Sequence, residues 1–236
     1  MRLSALYATA ALLSLAACNA ADDSRPAGYE VRMATLQRDG GDVRLSIDNV
    51  GVRAVGDSTL LVQAGVRRHG QRLIASYAGT QRPDGTGVAV LYGVRPVLTK
   101  AFSPAPATRE DSASLGADAT DVAAAWTAGG HLNVGLRLSP AAEGAPHLLS
   151  VCLTGETRDG LPVARLWHNL NGNAAGTGGT LSYASFALPE DGAADGGCWL
   201  RYVSGDGTER TLKVAVAERE IPLGGSGGSG GTADAR

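Results

Sequence analysis

The residues with the greatest chemical potential in this sequence are its four histidines and three cysteines. His69, His131, His147 and His168 lie far apart along the chain. None stands at the short spacing from another histidine or a cysteine that a zinc site requires, and no phosphate-binding glycine loop occurs. Catalysis needs titratable groups beside a positioned nucleophile, and the sequence indicates no such set. It therefore predicts a protein that is not an enzyme and that has no metal or other cofactor.

Cys18 has the clearest chemical role, because it ends a secretory signal. Arg2 supplies a positive charge, and Leu3–Leu15 is an uncharged stretch of apolar and small residues. Such a stretch is typical of a signal peptide and is short for a membrane span. Leu15-Ala16-Ala17-Cys18 resembles the lipobox of bacterial lipoproteins, in which the cysteine is acylated and becomes the new N-terminus. We expect residues 1–17 to be removed and Cys18 to anchor the chain in a membrane.

Two segments have the composition of flexible chain. Residues 18–28 are small, polar and proline-containing, which predicts a tether between the lipid and the folded part. Asp22 and Asp23 within it resemble a weak form of the surface-export signal of some Gram-negative lipoproteins. Residues 223–236 are rich in glycine and serine, which predicts a disordered tail. The formal net charge of −2 gives no reason to expect nucleic acid as a partner.

The rest of the chain has the hydrophobic pattern of β-strands. Apolar and polar residues alternate in Val43–Ile47, Val88–Val94, Leu132–Leu138 and Leu212–Val216. A period of two residues predicts one buried and one solvent-facing side, as in antiparallel sheets. Turn pairs such as Asp39-Gly40 separate the runs at short intervals. The sequence therefore predicts an all-β protein.

A break rich in proline and alanine at residues 103–112 divides the strands into two sets and is predicted to be a linker. Residues 113–222 after it hold six or seven expected strands, which suits an antiparallel β-sandwich. Residues 29–102 before it suit a small five-stranded OB-like barrel. The five strands expected there are Tyr29–Leu36, Val43–Ile47, Thr59–Val66, Leu73–Tyr77 and Val88–Leu98.

Cys152 and Cys198 both lie in strand-like runs of the predicted sandwich. Export from the cytoplasm allows thiols to oxidise, so a disulfide between these two residues is one expectation. The alternation of Leu149, Val151 and Leu153 as the buried set places Cys152 on the opposite face of its strand. The second possibility is therefore that both thiols stay free.

The end of one predicted strand, Leu166–Asn169, runs into the glycine-containing segment Asn171-Gly172-Asn173. One interpretation makes His168 and Asn169 a pair that contacts a ligand. In the other, Asn169 bonds the backbone of the following loop, as asparagine does readily in turns. His168 then lies between the sheet face and solvent.

Two further groups of residues admit a binding or a structural interpretation. Arg67–Arg72 is a basic hairpin tip, which is either a solvated turn or, beside stacking aromatics such as Tyr77 and Tyr92, a nucleic-acid contact. The three tryptophans form either a sugar-stacking platform, if they are exposed together, or part of the core. They are Trp126, Trp167 and Trp199.

Several of these motifs together resemble the NigD-like lipoproteins over nearly the whole folded part. Besides the lipobox, they are Val97–Lys100, Trp126–Asn133 and Leu166–Asn173. The resemblance implies an N-terminal OB-like domain and a C-terminal β-sandwich. The family name comes from a bacteriocin gene cluster in which an immunity role was proposed. This chain departs from the family in its alanine, glycine and arginine content and in carrying Cys152 and Cys198.

These observations lead to an expectation about function. We expect a non-enzymatic lipoprotein of the cell envelope, anchored to the outer membrane on its periplasmic side or at the cell surface. It is expected to bind a protein partner, and bacteriocin immunity is the instance that the resemblance implies. The alternative is a glycan, bound by the OB face or by the tryptophans.

Overall fold

A computed structural model describes residues 26–174, 179–190 and 196–217. The described part holds thirteen strands and two short helices, so the prediction of an all-β protein is confirmed. Cys18, the signal peptide, most of the tether and the Gly/Ser tail lie outside the described residues. Within the described ranges, no helix is long and apolar enough to cross a bilayer.

The first half of the chain forms a closed five-stranded barrel, as predicted. Around the barrel the strand order is β1-β2-β3-β5-β4, and β4 pairs back onto β1. A one-turn helix between β3 and β4, α1 (Thr59–Gln63), places Leu61 in the barrel core. The barrel strands are β1 (Tyr29–Asp39), β2 (Asp42–Ile47), β3 (Gly51–Val55), β4 (Arg72–Gln81) and β5 (Gly87–Pro96).

The structure corrects the predicted barrel strands in two places. The run Thr59–Val66, expected to be a strand, contains α1, because a short apolar run fits a buried helix as well as a buried strand. The strand β3 was missed, since its five residues are all exposed or half-buried and show no clear alternation.

The second half of the chain forms a β-sandwich of two four-stranded sheets, as predicted. Its strands are β6 (Leu98–Ala101), β7 (Asp121–Ala128), β8 (His131–Leu138), β9 (Leu148–Arg158), β10 (Leu161–Asn169), β11 (Thr180–Ala187), β12 (Cys198–Val203) and β13 (Glu209–Val214). The sheet orders are β13-β12-β10-β9 and β6-β11-β8-β7. Two pairs, β10 with β12 and β6 with β11, are parallel, and the other pairs are antiparallel. Apolar side chains from both sheets form one shared core.

Barrel and sandwich are joined by very little chain. Val97 alone separates β5 from β6, and β6 pairs with β11 of the sandwich, so Leu98 does not end the last barrel strand as expected. The predicted linker, residues 103–112, follows β6 and includes the start of α2 (Arg109–Leu115). Thr108 caps this helix through reciprocal side-chain and backbone bonds with Asp111. The domain boundary at residue 102 stays a prediction.

A buried ion pair lies where the barrel meets the sandwich. Arg72, the first residue of β4, is fully buried, and its Nη1 and Nη2 donate to the two carboxylate oxygens of Asp48 at 2.7 and 2.5 Å. Nη2 also donates to Oδ1 of Asn133 in β8, which accepts a second hydrogen bond from Ser185 Oγ at 2.7 Å. We call these four residues the junction cluster. Arg72 is therefore not part of the exposed basic tip in which the sequence placed it.

Candidate functional site

His147 and His168 meet at one end of the sandwich. His168 lies in β10, and its antiparallel partner in β9 is Leu149. His147 precedes Leu149 by two residues, so it lies on the same side of the chain and next to His168. Nδ1 of His147 and Nε2 of His168 are 2.9 Å apart. The sequence, in which the histidines belong to separate elements, gave no sign of this contact.

A backbone carbonyl holds each ring on its other side. Nε2 of His147 lies 3.0 Å from the carbonyl oxygen of Ser139, and Nδ1 of His168 lies 3.1 Å from that of Ala119. A carbonyl oxygen only accepts, so these two nitrogens carry hydrogen and donate. All four ring nitrogens of the pair therefore have contacts within the protein.

A cavity of about 640 Å³ opens beside this pair, and we call it the sandwich-end cavity. Two ion pairs lie in its wall, Arg210 with Asp206 at 2.7 Å and Arg137 with Asp121 at 3.8 Å. The hydroxyl of Thr120 is buried in the wall and has no hydrogen-bond partner among the described residues. The lining residues are Ala119, Thr120, Asp121, Arg137, Leu138, Ser139, His147, His168, Leu170, Ser204, Gly205, Asp206 and Arg210. The volume is in the range of small-ligand sites.

Burial and hydrogen bonds shift the pKa values of two groups at this end of the sandwich. It lowers the pKa of His168, and a charge on His147 lowers it too, while the bond to Ala119 and the carboxylate of Asp118 act in the opposite direction. Hydrogen bonds from Thr208 and Arg210 hold the pKa of Asp206 well below its usual range, so that carboxylate is ionised at neutral pH.

Asn169, the predicted companion of His168, is not part of the cavity lining. Its Oδ1 accepts from the backbone N–H of Asn171 at 2.7 Å, and its Nδ2 donates to the carbonyl of Ser114 in α2 at 3.2 Å. Asn169 thus has the local backbone bond of the second interpretation. His168, by contrast, is only 3% exposed, so its expected place between sheet and solvent is wrong. Binding by His168 and Asn169 stays a prediction.

The asparagines that follow hold the loop between β8 and β9, residues 139–147, which we call the β8–β9 loop. Nδ2 of Asn171 donates to the carbonyl of Pro146 at 3.1 Å. Asn173 accepts from the backbone N–H of Ala142 and donates to the carbonyl of Ala145, each at 2.6 Å. The segment that is most distinctive in the sequence therefore fastens a neighbouring loop, a role that its sequence alone did not indicate.

Cys152 and Cys198 are both buried and free, so the expected disulfide is absent from the structure. The strand β10 separates their strands, which places them about 10 Å apart across the sheet, beyond the roughly 7 Å that a disulfide spans. Cys198 packs in the sandwich core, where burial raises its pKa to about 11. Cys152 lies on the other face and accepts a hydrogen bond from Nε1 of Trp167 at 3.3 Å.

The three tryptophans do not form a shared binding platform. Trp126 is 5% exposed and Trp167 is 9% exposed. Trp126 packs between barrel and sandwich, whereas the other two lie on a sandwich sheet under cationic side chains. Arg165 lies 4.3 Å from the ring of Trp167, and Arg158 lies 3.9 Å from that of Trp199. The expectation that the tryptophans stack together on a sugar is therefore wrong.

The barrel residues considered for a nucleic-acid contact have ordinary structural contacts. Tyr77 is buried and donates to Glu30, so its ring is not available for stacking on a base, while Tyr92 is half exposed. At the basic hairpin tip, Oε1 of Gln71 accepts from the backbone N–H of Arg67 at 3.0 Å. This contact makes the tip an ordinary hydrogen-bonded turn.

No protein-family model matches the chain, and no curated protein sequence matches it. Solved structures do match it in fold. A protein of unknown function from Bacteroides vulgatus has a TM-score of 0.63 at 18% identity, over 80% of this chain and 91% of that chain. A NigD-like immunity protein from Bacteroides caccae has a TM-score of 0.56 at 19% identity, over 80% of this chain and 93% of that chain. The resemblance to NigD-like proteins is thus confirmed as a shared fold.

Proposed function

We propose that this protein is a non-enzymatic lipoprotein of the cell envelope that binds a protein partner through the sandwich-end cavity. The Leu15–Cys18 lipobox supports the envelope location, because an acylated cysteine holds a chain at a membrane. The outer membrane is the proposed site of anchoring, with the folded part on its periplasmic side or at the cell surface.

The cavity itself carries the proposal of binding. It is open and lined by polar groups, and one of them, the hydroxyl of Thr120, is buried without a partner. A buried polar group that makes no hydrogen bond costs about 1–3 kcal/mol. Because that hydroxyl lies behind the cavity surface, the accessible charged groups carry the proposal: Arg137 and Arg210, with their carboxylate partners, can bind polar groups of a ligand.

The contacts of the histidine pair favour binding over catalysis. A general base must have a nitrogen free to take a proton from a substrate or a nucleophile. In this pair, two nitrogens face each other and the other two donate to the carbonyls of Ser139 and Ala119. The hydroxyl of Ser139 donates to the carbonyl of Ala174 and does not contact an imidazole.

The specific function that we propose is bacteriocin immunity, with a toxin as the partner. One protein of the same fold is named a NigD-like immunity protein. Of the ways in which immunity can arise, we propose direct capture of the toxin at the envelope. The proposed partner is therefore a secreted peptide or protein toxin, recognised at the sandwich-end cavity.

A capture experiment with charge-matched variants tests the site. Wild-type protein is used to recover a specific partner from envelope extracts and secreted fractions. The double variant Arg137→Gln and Arg210→Gln removes two charges from the cavity wall. The control, Arg67→Gln and Arg68→Gln, removes two charges from the exposed hairpin tip.

We expect the cavity variant to lose capture and the tip variant to retain it. Equal capture by all three proteins would exclude the cavity as the site, and equal loss by both variants would show attraction by net charge alone. A Cys18→Ser chain is expected to leave the membrane fraction and to lose protection of cells against the toxin.

A further inference from the structure

Two neutral histidines cannot satisfy the contacts of the His147–His168 pair. A neutral imidazole has one N–H and one lone pair. Both N–H groups are used on the outer sides, by the carbonyls of Ser139 and Ala119. The facing nitrogens would then present a lone pair each across a distance of 2.9 Å. Such a contact repels unless something with positive charge lies between the rings.

The ring geometry indicates what fills the gap. The ring centroids are 5.1 Å apart and the facing nitrogens are 2.9 Å apart. The difference is close to the sum of the two centroid-to-nitrogen distances, so both nitrogens lie nearly on the line that joins the centroids. The ring planes differ by 22°. The rings therefore lie end to end and nearly in one plane, with the facing nitrogens aimed at each other. A separation of 2.9 Å is that of an ordinary N–H hydrogen bond.

We propose that His147 and His168 bind one proton between them and that this shared proton latches the β8–β9 loop at the sandwich-end cavity. With the proton in place, one ring donates to the other and both carbonyl bonds are kept. When the proton leaves, the facing lone pairs repel, and His147 moves away together with its loop. The latch works whether or not the proposed partner is bound.

The charges around the pair favour the binding of one extra proton and disfavour the binding of two. Asp118 lies close on the chain segment before β7, where its carboxylate accepts from the backbone N–H of Leu170 at 2.7 Å, and its charge favours a singly charged pair. The other charged groups of the cavity compensate each other, as Arg137 pairs with Asp121 and Arg210 pairs with Asp206. Burial opposes a second positive charge in the same place.

A metal ion fits this gap less well than a proton. Two imidazole nitrogens on one zinc ion stand about 3.3 Å apart in tetrahedral geometry and about 4 Å apart when the ion lies on the line between them. The observed 2.9 Å is shorter than either distance. Among the described residues, no third histidine, cysteine or carboxylate joins the pair to complete a metal site.

A nitrogen-15 NMR titration of the wild-type chain tests the shared proton without any substitution. We expect the pair to release a single proton in one step that both rings report. Protection of the Ala142 and Ala145 amides against hydrogen exchange, corrected for intrinsic rates, should fall about tenfold through the same step, since one hydrogen bond is lost. Two independent titrations near the usual pKa of 6.5, without a change in loop protection, would overturn the proposal.

Substitutions separate the proton from the hydrogen bond. His168→Gln places an amide N–H near the position of Nε2, where it donates to His147 without a titratable proton. We expect loop protection in this variant to stay constant as the pH rises. Asn171→Ala, the control, removes a bond to the same loop, at Pro146, and should lower protection equally at every pH.

The outcome against the proposal is a pH dependence in His168→Gln equal to that of the wild type. Thermal melts establish that each variant is folded, and if His168→Gln does not fold, the wild-type titration decides. Adding zinc to the wild type provides the last comparison. Zinc that displaces the proton and closes the loop more tightly would show that the site is a metal site instead.

Discussion

The junction cluster and the histidine pair are both buried and polar, but they differ in whether their donors and acceptors match. In the junction cluster, Arg72 brings a charge and several donors, and Asp48 and Asn133 accept them at 2.5–3.1 Å. In the histidine pair, three contacts have only two N–H donors between them unless a proton is added. The first cluster lies between two folded units, and the second borders a cavity.

This difference separates a cluster with a structural role from a cluster that can exchange a proton with solvent. Except for Nε of Arg72, which has no hydrogen-bond partner among the described residues, the groups of the junction cluster bond one another. Removing one member therefore leaves the others unsatisfied. A cluster that needs an additional proton responds to the solution around it. We therefore assign the junction cluster to stability and the sandwich end to function.

The largest expected effect is the loss of the buried ion pair. Arg72→Met leaves the carboxylate of Asp48, 9% exposed, without its partner, and should lower the free energy of unfolding by about 3–5 kcal/mol. Urea denaturation measures this change. In the control, Arg44→Met breaks an exposed pair with Asp42 and should cost less than about 1 kcal/mol. Similar costs in the two variants would contradict the structural role of the junction.

The second-largest expected effect comes from replacing one asparagine by alanine in each region. Asn133→Ala removes the acceptor of Arg72 and Ser185 in a fully buried position, and should cost about 2–3 kcal/mol of global stability. Asn173→Ala, at the β8–β9 loop, should cost about 1 kcal/mol and raise exchange only in that loop. If Asn173→Ala weakened the whole protein as much as Asn133→Ala, the loop would not be an independently opening unit.

Acidification is expected to weaken the junction by a smaller amount. Burial lowers the pKa of His131, beside the junction, and the charge of Arg72 lowers it further. An unfolded histidine takes up a proton below about pH 6.5, where the folded state resists it, so stability is full above that pH and falls as the pH falls. Urea midpoints between pH 4 and 8 measure the slope.

Histidine variants show which residue causes this loss of stability in acid. His131→Asn should reduce the loss of stability below about pH 6.5, whereas His168→Gln, which removes the proposed latch, should not reduce it. An undiminished loss in His131→Asn would place the sensitivity elsewhere.

The smallest expected effect is that of a reducing agent. In a Cys18→Ser chain, both remaining thiols are buried and free, so the melting temperature should be the same with and without reductant. Because burial raises the pKa of Cys198 to about 11, that thiol should react with iodoacetamide only after unfolding. A mass two units lower without reductant would reveal the disulfide that the strand order excludes.

Much of the fold could be predicted from alternation alone, since a strand such as Val43–Ile47 has one buried and one wetter side. Alternation also located Leu132–Leu138, but the expected solvent-facing side is wrong there, because residues 132–136 are all buried. The helix α1 could not, because its short apolar run has no period that separates it from a strand. The histidine contact depends on the register of β9 against β10, which the sequence leaves open. Arg72 was misplaced because it follows the exposed residues Arg67, Arg68 and His69 in a basic run, whereas in the structure it begins the buried part of β4.

The short strand β6 has a consequence for the order in which the molecule folds. All pairings of the barrel lie within residues 29–96, so the barrel can form as soon as that part of the chain is available. The strand β6 can pair only when β11 is available, because its Leu98 pairs with Ala184, more than eighty residues later. Such a distant pairing closes slowly, since the loop entropy must be overcome before the contact forms. The barrel should therefore fold before the sandwich and keep β6 unpaired until the second half of the chain is available.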